Sequence, residues 1–179
     1  MIQEKNINWA KLQRECRQVI ITLPGKMGTV IVNFSKERFR AQAWADNSYQ
    51  PWKARRRNGK KTSSRGILIK SGRLRRSIRI VRTTSNSVTV GSDVPYAQAH
   101  NEGFTGSVSV RGHKRHNMKR RQMEVKGKKR NVKMSVGEFY VKAHDRRMDL
   151  PQRQFMGESR MQRRLIENLI LKEIQKVFK

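Results

Sequence analysis

A chain of 179 residues has room for one domain of ordinary size, with at most one large insertion. Apolar residues make up only 35%, and 42 Lys or Arg stand against 13 Asp or Glu, for a formal charge of +29. That charge makes a compact monomer repel itself and draws it to polyanions, which excludes a working life far from a negative partner such as nucleic acid or an acidic protein surface.

The first element expected is a helix over residues 7–21, where Trp9, Leu12, Cys16, Val19 and Ile20 recur at spacings of three and four. Leu23-Pro24-Gly25 is a stop signal, so a second helix is expected from an N-cap at Thr29 to Ala45, burying Val30, Phe34, Phe39 and Trp44. Asp46-Asn47-Ser48 ends it. Tyr49-Gln50-Pro51-Trp52 then reads as extended, because proline biases its predecessor away from the helical region.

Residues 53–66 change character. Lys53, Arg55, Arg56, Arg57, Lys60 and Lys61 surround Asn58-Gly59 with almost no apolar residue, the composition of a loop or arm that orders on a partner. Ser71 is placed to cap a short turn that carries Leu74 inward. From 67 to 91 the period switches to two: Ile78, Ile80 and Arg82 share one strand face, Val88 and Val90 the next, and Thr84-Ser85-Asn86-Ser87 supplies the turn. Tyr96–His100 reads as one helical turn stopped near Gly103.

Residues 104–149 form a second basic zone, with Val108 and Val110, Val132 and Met134, and Phe139 and Val141 alternating. A long β-hairpin with basic tips is expected, Lys128, Lys129 and Arg130 among its charges. Residues 158–178 form a final helix with a wide apolar stripe from Met161 to Val177. The fold class is therefore α+β: a small antiparallel sheet packed against N-terminal and C-terminal helices, with basic loop and hairpin insertions in a single domain over 1–179.

The chemistry of catalysis is not visible. His113 and His116 sit three apart without a second ligand pair, and read as exposed histidines of a basic loop. His100, beside Tyr96, reads as a packed or hydrogen-bonded residue, since no nucleophile or carboxylate partner is implied near it. Ser64-Arg65-Gly66 and Lys70-Ser71-Gly72 lack the spacing of a phosphate-binding loop. No acidic residue occurs between Asp46 and Asp93, which leaves a nuclease without the clustered carboxylates that hold magnesium. No enzyme activity, metal or cofactor is expected. The lone Cys16 fits a reducing compartment, Met1–Lys5 lacks the pattern of a secretory signal, and no apolar run approaches the ~20 residues that span a bilayer. A chain made in the cytoplasm, without a membrane partner, is expected.

What remains is charge. The zones at 47–92 and 111–147 are too basic to neutralise each other, and basic residues without interleaved aromatics suit phosphate-backbone or carboxylate contact better than base stacking. The residues expected to meet such a partner are Lys53, Arg55, Arg56, Arg57, Lys60, Lys61, Lys128, Lys129 and Arg130.

Three segments together resemble the phage virion morphogenesis family, the Mu-like tail completion proteins. The first is Leu68-Ile69-Lys70-Ser71-Gly72-Arg73-Leu74-Arg75-Arg76-Ser77-Ile78. The second is Val88-Thr89-Val90-Gly91-Ser92-Asp93-Val94-Pro95-Tyr96-Ala97, followed by His100 and Gly103. The third is Leu150-Pro151-Gln152-Arg153-Gln154-Phe155-Met156-Gly157, which leads into the last helix. Phe34-Ser35-Lys36-Glu37-Arg38-Phe39 is also similar. The resemblance covers roughly 30–103 and 150–178 and leaves 104–149 without a counterpart. It implies that Gly72, Leu74, Ile78, Gly91, Tyr96, His100, Gly103, Arg153 and Phe155 are fold residues, with Phe155 filling the core before the C-terminal helix packs across the sheet.

The resemblance further implies a subunit of a homo-oligomeric ring in the neck of a tailed phage, closing the head, ending the tail tube or joining the two. Its partners would be portal, head-completion and tail-tube proteins, with non-specific contact to packaged DNA. Its place would be the virion, after assembly in the host cytoplasm. A ribosome-associated or other RNA-binding protein is the alternative that composition alone leaves open.

Overall fold

The computed structural model describes residues 8–55, 66–125 and 128–178. It divides into two units, one from Met1–Gly103 with Leu150–Lys179, the other Phe104–Asp149. The first unit holds helix α1 (Trp9–Ala41), strands β1 (Ala43–Ala45) and β2 (Tyr49–Pro51), the short helix α2 (Arg73–Ser77), strands β3 (Arg79–Thr83) and β4 (Val88–Gly91), the turn helix α3 (Ala97–Glu102) and the C-terminal helix α4 (Arg160–Val177). The α+β class expected from the pattern is the one observed.

The N-terminal half corrects the sequence reading. One helix of 33 residues replaces the two expected, with Pro24 inside it and buried. Its N-cap is Asn8, whose Oδ1 accepts the N–H of Lys11 at 3.0 Å. Thr29 is no cap: it lies mid-helix, and its hydroxyl donates to the Gly25 carbonyl at 3.1 Å. A proline inside a helix costs ~3 kcal/mol and a glycine ~1. Packing outweighs those costs, because α4 lies along this stretch while β3 and β4 cross it. Gly28 marks the crossing: a Cβ there would stand 2.6 Å from Val88 Cγ2 and 2.8 Å from Ile80 Cδ1. The helix ends at Gln42 in the left-handed region (φ 54°), and Ala43–Ala45, expected as helix, is a buried strand paired antiparallel with β2.

The core has two parts. Phe39, Trp52, Leu74, Ile78, Val94 and Phe155 form the larger, and Phe34, Trp44 and Ala45 the smaller. Phe39 sits between two rings, edge-on to Trp52 at 5.5 Å and tilted against Phe155 at 5.0 Å. These are the separations at which aromatic pairs add to plain burial. β3 and β4 make an antiparallel hairpin with a bulge between Ile80 and Arg82, closed by Thr84 and Ser87.

α4 meets β1 through its first turn and then runs along α1 rather than across the sheet. Its N-cap Ser159 donates to the Ala45 carbonyl at 2.6 Å and accepts the N–H of Gln162 at 3.2 Å. Asp46 accepts the next N–H, from Arg160, at 2.7 Å. Near the far end, Glu173 is buried between Lys26 of α1 at 2.6 Å and Lys176 at 2.8 Å. The apolar stripe is wider than α1 can cover, so Leu165 and Ile174 at its margins stay about 45% and 43% exposed.

The second unit contains β5 (Phe104–Val110), β6 (His113–Val125), β7 (Lys128–Val141) and β8 (His144–Leu150), with β5 paired to β8 and β6 to β7. The β6–β7 ribbon keeps antiparallel register from His113↔Val141 to Val125↔Lys128, interrupted by a bulge after Asn117. At ~3.3 Å per residue, strands of 13 and 14 residues make it roughly 40 Å long.

Candidate functional site

The described residues on either side of the basic stretch at 56–65 are held in place. On the leading side, Trp52 donates its backbone N–H to the Gln42 carbonyl at 2.8 Å and its indole N–H to Gln154 at 2.9 Å. Arg153, buried, donates from Nε to the Lys53 carbonyl at 3.0 Å and from Nη2 to that of Ala54 at 3.4 Å. On the trailing side, the Gln42 amide bonds both the N–H and the carbonyl of Ile67. Arg55 then joins the two sides by donating to the Gly66 carbonyl at 2.6 Å.

The clamp is itself positioned by α3. His100 accepts the N–H of Arg153 at 2.8 Å, and Asn101 Oδ1 takes the N–H groups of Phe155 at 3.0 Å and Met156 at 2.9 Å. Gly103 makes this approach feasible. Its φ is +84°, and a Cβ would come within 3.1 Å of Gln152 N and 3.2 Å of the Leu150 carbonyl. The second and third segments singled out in the sequence are thus a hydrogen-bonded pair.

Beside Arg55 lies a cleft of about 470 Å³ between the Leu68–Leu74 segment and the α3 turn. Arg55, Lys70 and Arg73 bring positive charge to it, Tyr96 and His100 form one wall, and Leu68 and Leu74 give it an apolar side. Leu68 has φ +61°, a left-handed conformation that costs a branched side chain about 1 kcal/mol or more. His100 packs edge-on to Tyr96 at 5.8 Å, and its Nδ1 is buried without a hydrogen-bond partner among the described residues. Burial, and after it the Arg153 guanidinium, holds the imidazole below its ordinary pKa of 6.5, so it is neutral at pH 7. Burial and then the Arg55 charge likewise lower the pKa of Arg153. Across the Lys70-Ser71-Gly72 turn is a second groove of about 500 Å³, to which Arg75 and Arg76 contribute. Gly72 at φ +72° forms the turn, and Arg76 braces it by donating to the Ser71 carbonyl at 2.9 Å. The side chain of Ser71 accepts the N–H of Arg73 at 3.4 Å, while the N-cap position of α2 falls to Gly72.

In the second unit, Lys129 stands opposite Glu124 and Arg130 opposite Met123 near the end of the ribbon, both exposed. Lys119, Arg120, Arg121 and Lys133 continue the charge along it. His113 and His116, three apart on one strand, point to opposite faces and cannot share an ion. His116 lies 3.1 Å from Glu138 instead. Met118, Met123, Met134, Phe139 and Tyr140 remain substantially exposed. A two-stranded ribbon with neither face covered is marginal alone.

Of the nine residues expected to meet a partner, Lys53 is exposed and Arg55 half-buried, while Arg56, Arg57, Lys60 and Lys61 lie outside the described residues. Lys128 opens β7 beside Lys129 and Arg130. Among the motif residues, Leu74, Ile78, Arg153 and Phe155 are buried, Gly91 closes β4, and Gly72 and Gly103 hold positive φ. Lys70 and Arg73 were missed as cleft residues, although Lys70-Ser71-Gly72 stands out as a turn. The clamps made by Gln42 and Asn101 carry no sequence signal, since a polar side chain does not announce a partner 25 or 54 residues away.

Comparison with family models gave a match to the phage virion morphogenesis family over residues 9–175. No curated protein and no solved structure matched the chain.

Proposed function

Since the chain belongs to the phage virion morphogenesis family, we propose that it is a structural, non-catalytic subunit of the head–tail junction of a tailed phage. In this reading it forms a homo-oligomeric ring that completes the tail or closes the head, against portal, head-completion and tail-tube proteins. The observation that carries the reading is the family match over residues 9–175, to which a formal charge of +29 adds the need for an anionic neighbour. Arg153, Gln42 and Arg55 fix the described residues that flank the basic stretch at 56–65. A ring of such subunits repels itself unless something anionic threads or surrounds it. Acidic neighbours with some contact to packaged DNA meet that need. A ribosome-associated role has no comparable observation in its favour.

The test is location. Virions labelled with an antibody to this protein should carry the label at the neck, and phages lacking it should accumulate unjoined heads and tails. Label along the capsid face or at the distal tail tip, with normal joining, overturns the junction assignment.

A further inference from the structure

We propose that the outer half of the β6–β7 ribbon lies in the major groove of duplex DNA with one particular face turned inward. This deepens the junction reading by naming the surface that would meet packaged DNA, and it rests on the register of the two strands. Residues opposite each other in an antiparallel pair point to the same side, so the register assigns each side chain to a face. Beyond the bulge, one face pairs Lys119 with Met134, Arg121 with Val132 and Arg130 with Met123. Each cation stands opposite an apolar residue, and no carboxylate falls on that face among the described residues. The other face pairs Arg120 with Lys133, Gln122 with Asn131 and Glu124 with Lys129. Glu138, opposite His116 nearer the base, belongs to this second face too. Both glutamates of the ribbon therefore share one side. The bulge sets this phase. It skips Val136, and without that extra residue Met134, Val132 and Arg130 would fall on the glutamate face.

Duplex DNA is the occupant that this face fits. The major groove is about 12 Å wide and admits a two-stranded ribbon. At ~3.4 Å per residue, positions 118–124 form a rail roughly 24 Å long. From the groove floor, the long Lys and Arg side chains reach the phosphates on its walls, while Val132 and the methionines suit thymine methyl groups. Lys119, Arg121 and Arg130 are exposed, and they make no ion pair or side-chain hydrogen bond among the described residues. An acidic protein surface mixes signs and would set some of its own cations against this row. A duplex carries one negative charge per ~1.7 Å of axis and no positive one. The glutamates, turned outward, escape that field. Duplex RNA is a poorer occupant, because its major groove is deep and narrow. A ribbon that is marginal alone would also gain cover on one face.

The test uses the full-length protein and a fluorescein-labelled 16-base-pair DNA duplex, followed by anisotropy across a salt series. Lys119→Ala combined with Arg121→Ala and Arg130→Ala should weaken binding at least tenfold and lower the log–log salt slope by roughly two to three. Arg120→Ala with Lys129→Ala and Lys133→Ala removes the same charge from the other face, and should change affinity by no more than about threefold. Added carboxylates give a second comparison. Met134→Glu should weaken binding at least fivefold, and Asn131→Glu by no more than about twofold. All eight positions are exposed, so none of these changes opens a core. Duplex RNA of equal length should bind at least tenfold more weakly than the DNA. Equal losses from the two triple variants, or from the two glutamate variants, would mean attraction by total charge and overturn the inward face. RNA bound as tightly as DNA would overturn the groove. A polyglutamate peptide bound more tightly than the duplex, with the same dependence on face, would replace DNA by an acidic protein. Neck labelling is independent of these results: failed face dependence leaves the junction reading standing, and label elsewhere with face-dependent binding removes the junction reading alone.

Discussion

Arg153 and Lys53 are joined across 100 positions of sequence, the guanidinium of one donating to the backbone carbonyl of the other at 3.0 Å. A buried cation is thereby satisfied by carbonyls instead of a carboxylate, and the residues that lead into the basic stretch at 56–65 are fixed to the segment that enters the last helix. Arg153→Ala should lower stability by ~2–4 kcal/mol, since it removes two charge-assisted bonds and leaves two carbonyls unpaired. Arg153→Lys should recover part of that, lacking the planar fork. Urea denaturation gives the loss, and amide exchange at Lys53 and Ala54 should quicken. An unchanged midpoint for the alanine variant would show the clamp to be incidental.

The two glycines of α1 should respond in opposite directions. Gly28 has no room, with Val88 and Ile80 within 3 Å of an added Cβ, so Gly28→Ala should destabilise by ~1–3 kcal/mol. Gly25 has nothing within 4 Å, and Gly25→Ala should stabilise by up to ~1 kcal/mol through helix propensity. Thermal melts of the two single variants decide it, and equal shifts would mean that β3 and β4 do not cross the helix at Gly28.

Two groups should give acid sensitivity with different onsets. Hydrogen bonds from Lys176 and then Lys26 hold the Glu173 carboxyl below its ordinary 4.5. The unfolded chain binds that proton first, so this stabilisation is complete above about pH 4.5 and is lost as pH falls through the lowered folded value. His100 also has a lowered folded pKa, from burial first and Arg153 second. Its contribution is full above 6.5 and falls away as pH drops below it. Melting midpoints measured from pH 8 to pH 2 should decline in two stages, and Glu173→Gln should remove the lower one. A Glu173→Gln profile parallel to wild type would dissociate the helix pair from that carboxylate.

Core and margin of the C-terminal segment should separate clearly. Phe155, 1% exposed against Phe39, should cost ~3–5 kcal/mol as Phe155→Ala. Leu169→Asp puts a charge on the half-buried face of α4 and should cost ~2 kcal/mol or more. Leu165→Asp, at a margin 45% exposed, should be near neutral for folding. Equal loss of soluble protein from both aspartate variants would place Leu165 inside the packed face.

Much of this architecture was written in local pattern. The period-two run at 78–90, the Tyr96 turn ending at Gly103 and the C-terminal stripe all appear where residue spacing puts them, because each is decided by its own neighbours. The stop at Pro24 misled because its remedy is tertiary: two elements pack on the helix at that level. Ala43–Ala45 misled for a related reason, as alanines and a tryptophan suit a helix until β2 offers them a partner. The candidate site was half legible. Its charges are plain in composition, but the cleft comes from Arg55, Lys70–Leu74 and Tyr96–His100 meeting in space, and the clamps from side chains whose acceptors lie far along the chain.

The position of Phe155 also bears on how the protein comes off the ribosome. Phe39 and Trp52 are made early, yet the ring that completes their cluster is translated only after the whole of Phe104–Asp149. At ~5–20 residues per second, the nascent chain spends several seconds with those aromatics uncapped. Closing a contact of such long range is slow, and an unfinished apolar surface on a strongly basic chain is exposed to aggregation and to stray polyanions meanwhile. Recombinant production should therefore benefit from slower synthesis or a holdase chaperone, and truncations ending before residue 155 should be recovered as insoluble protein.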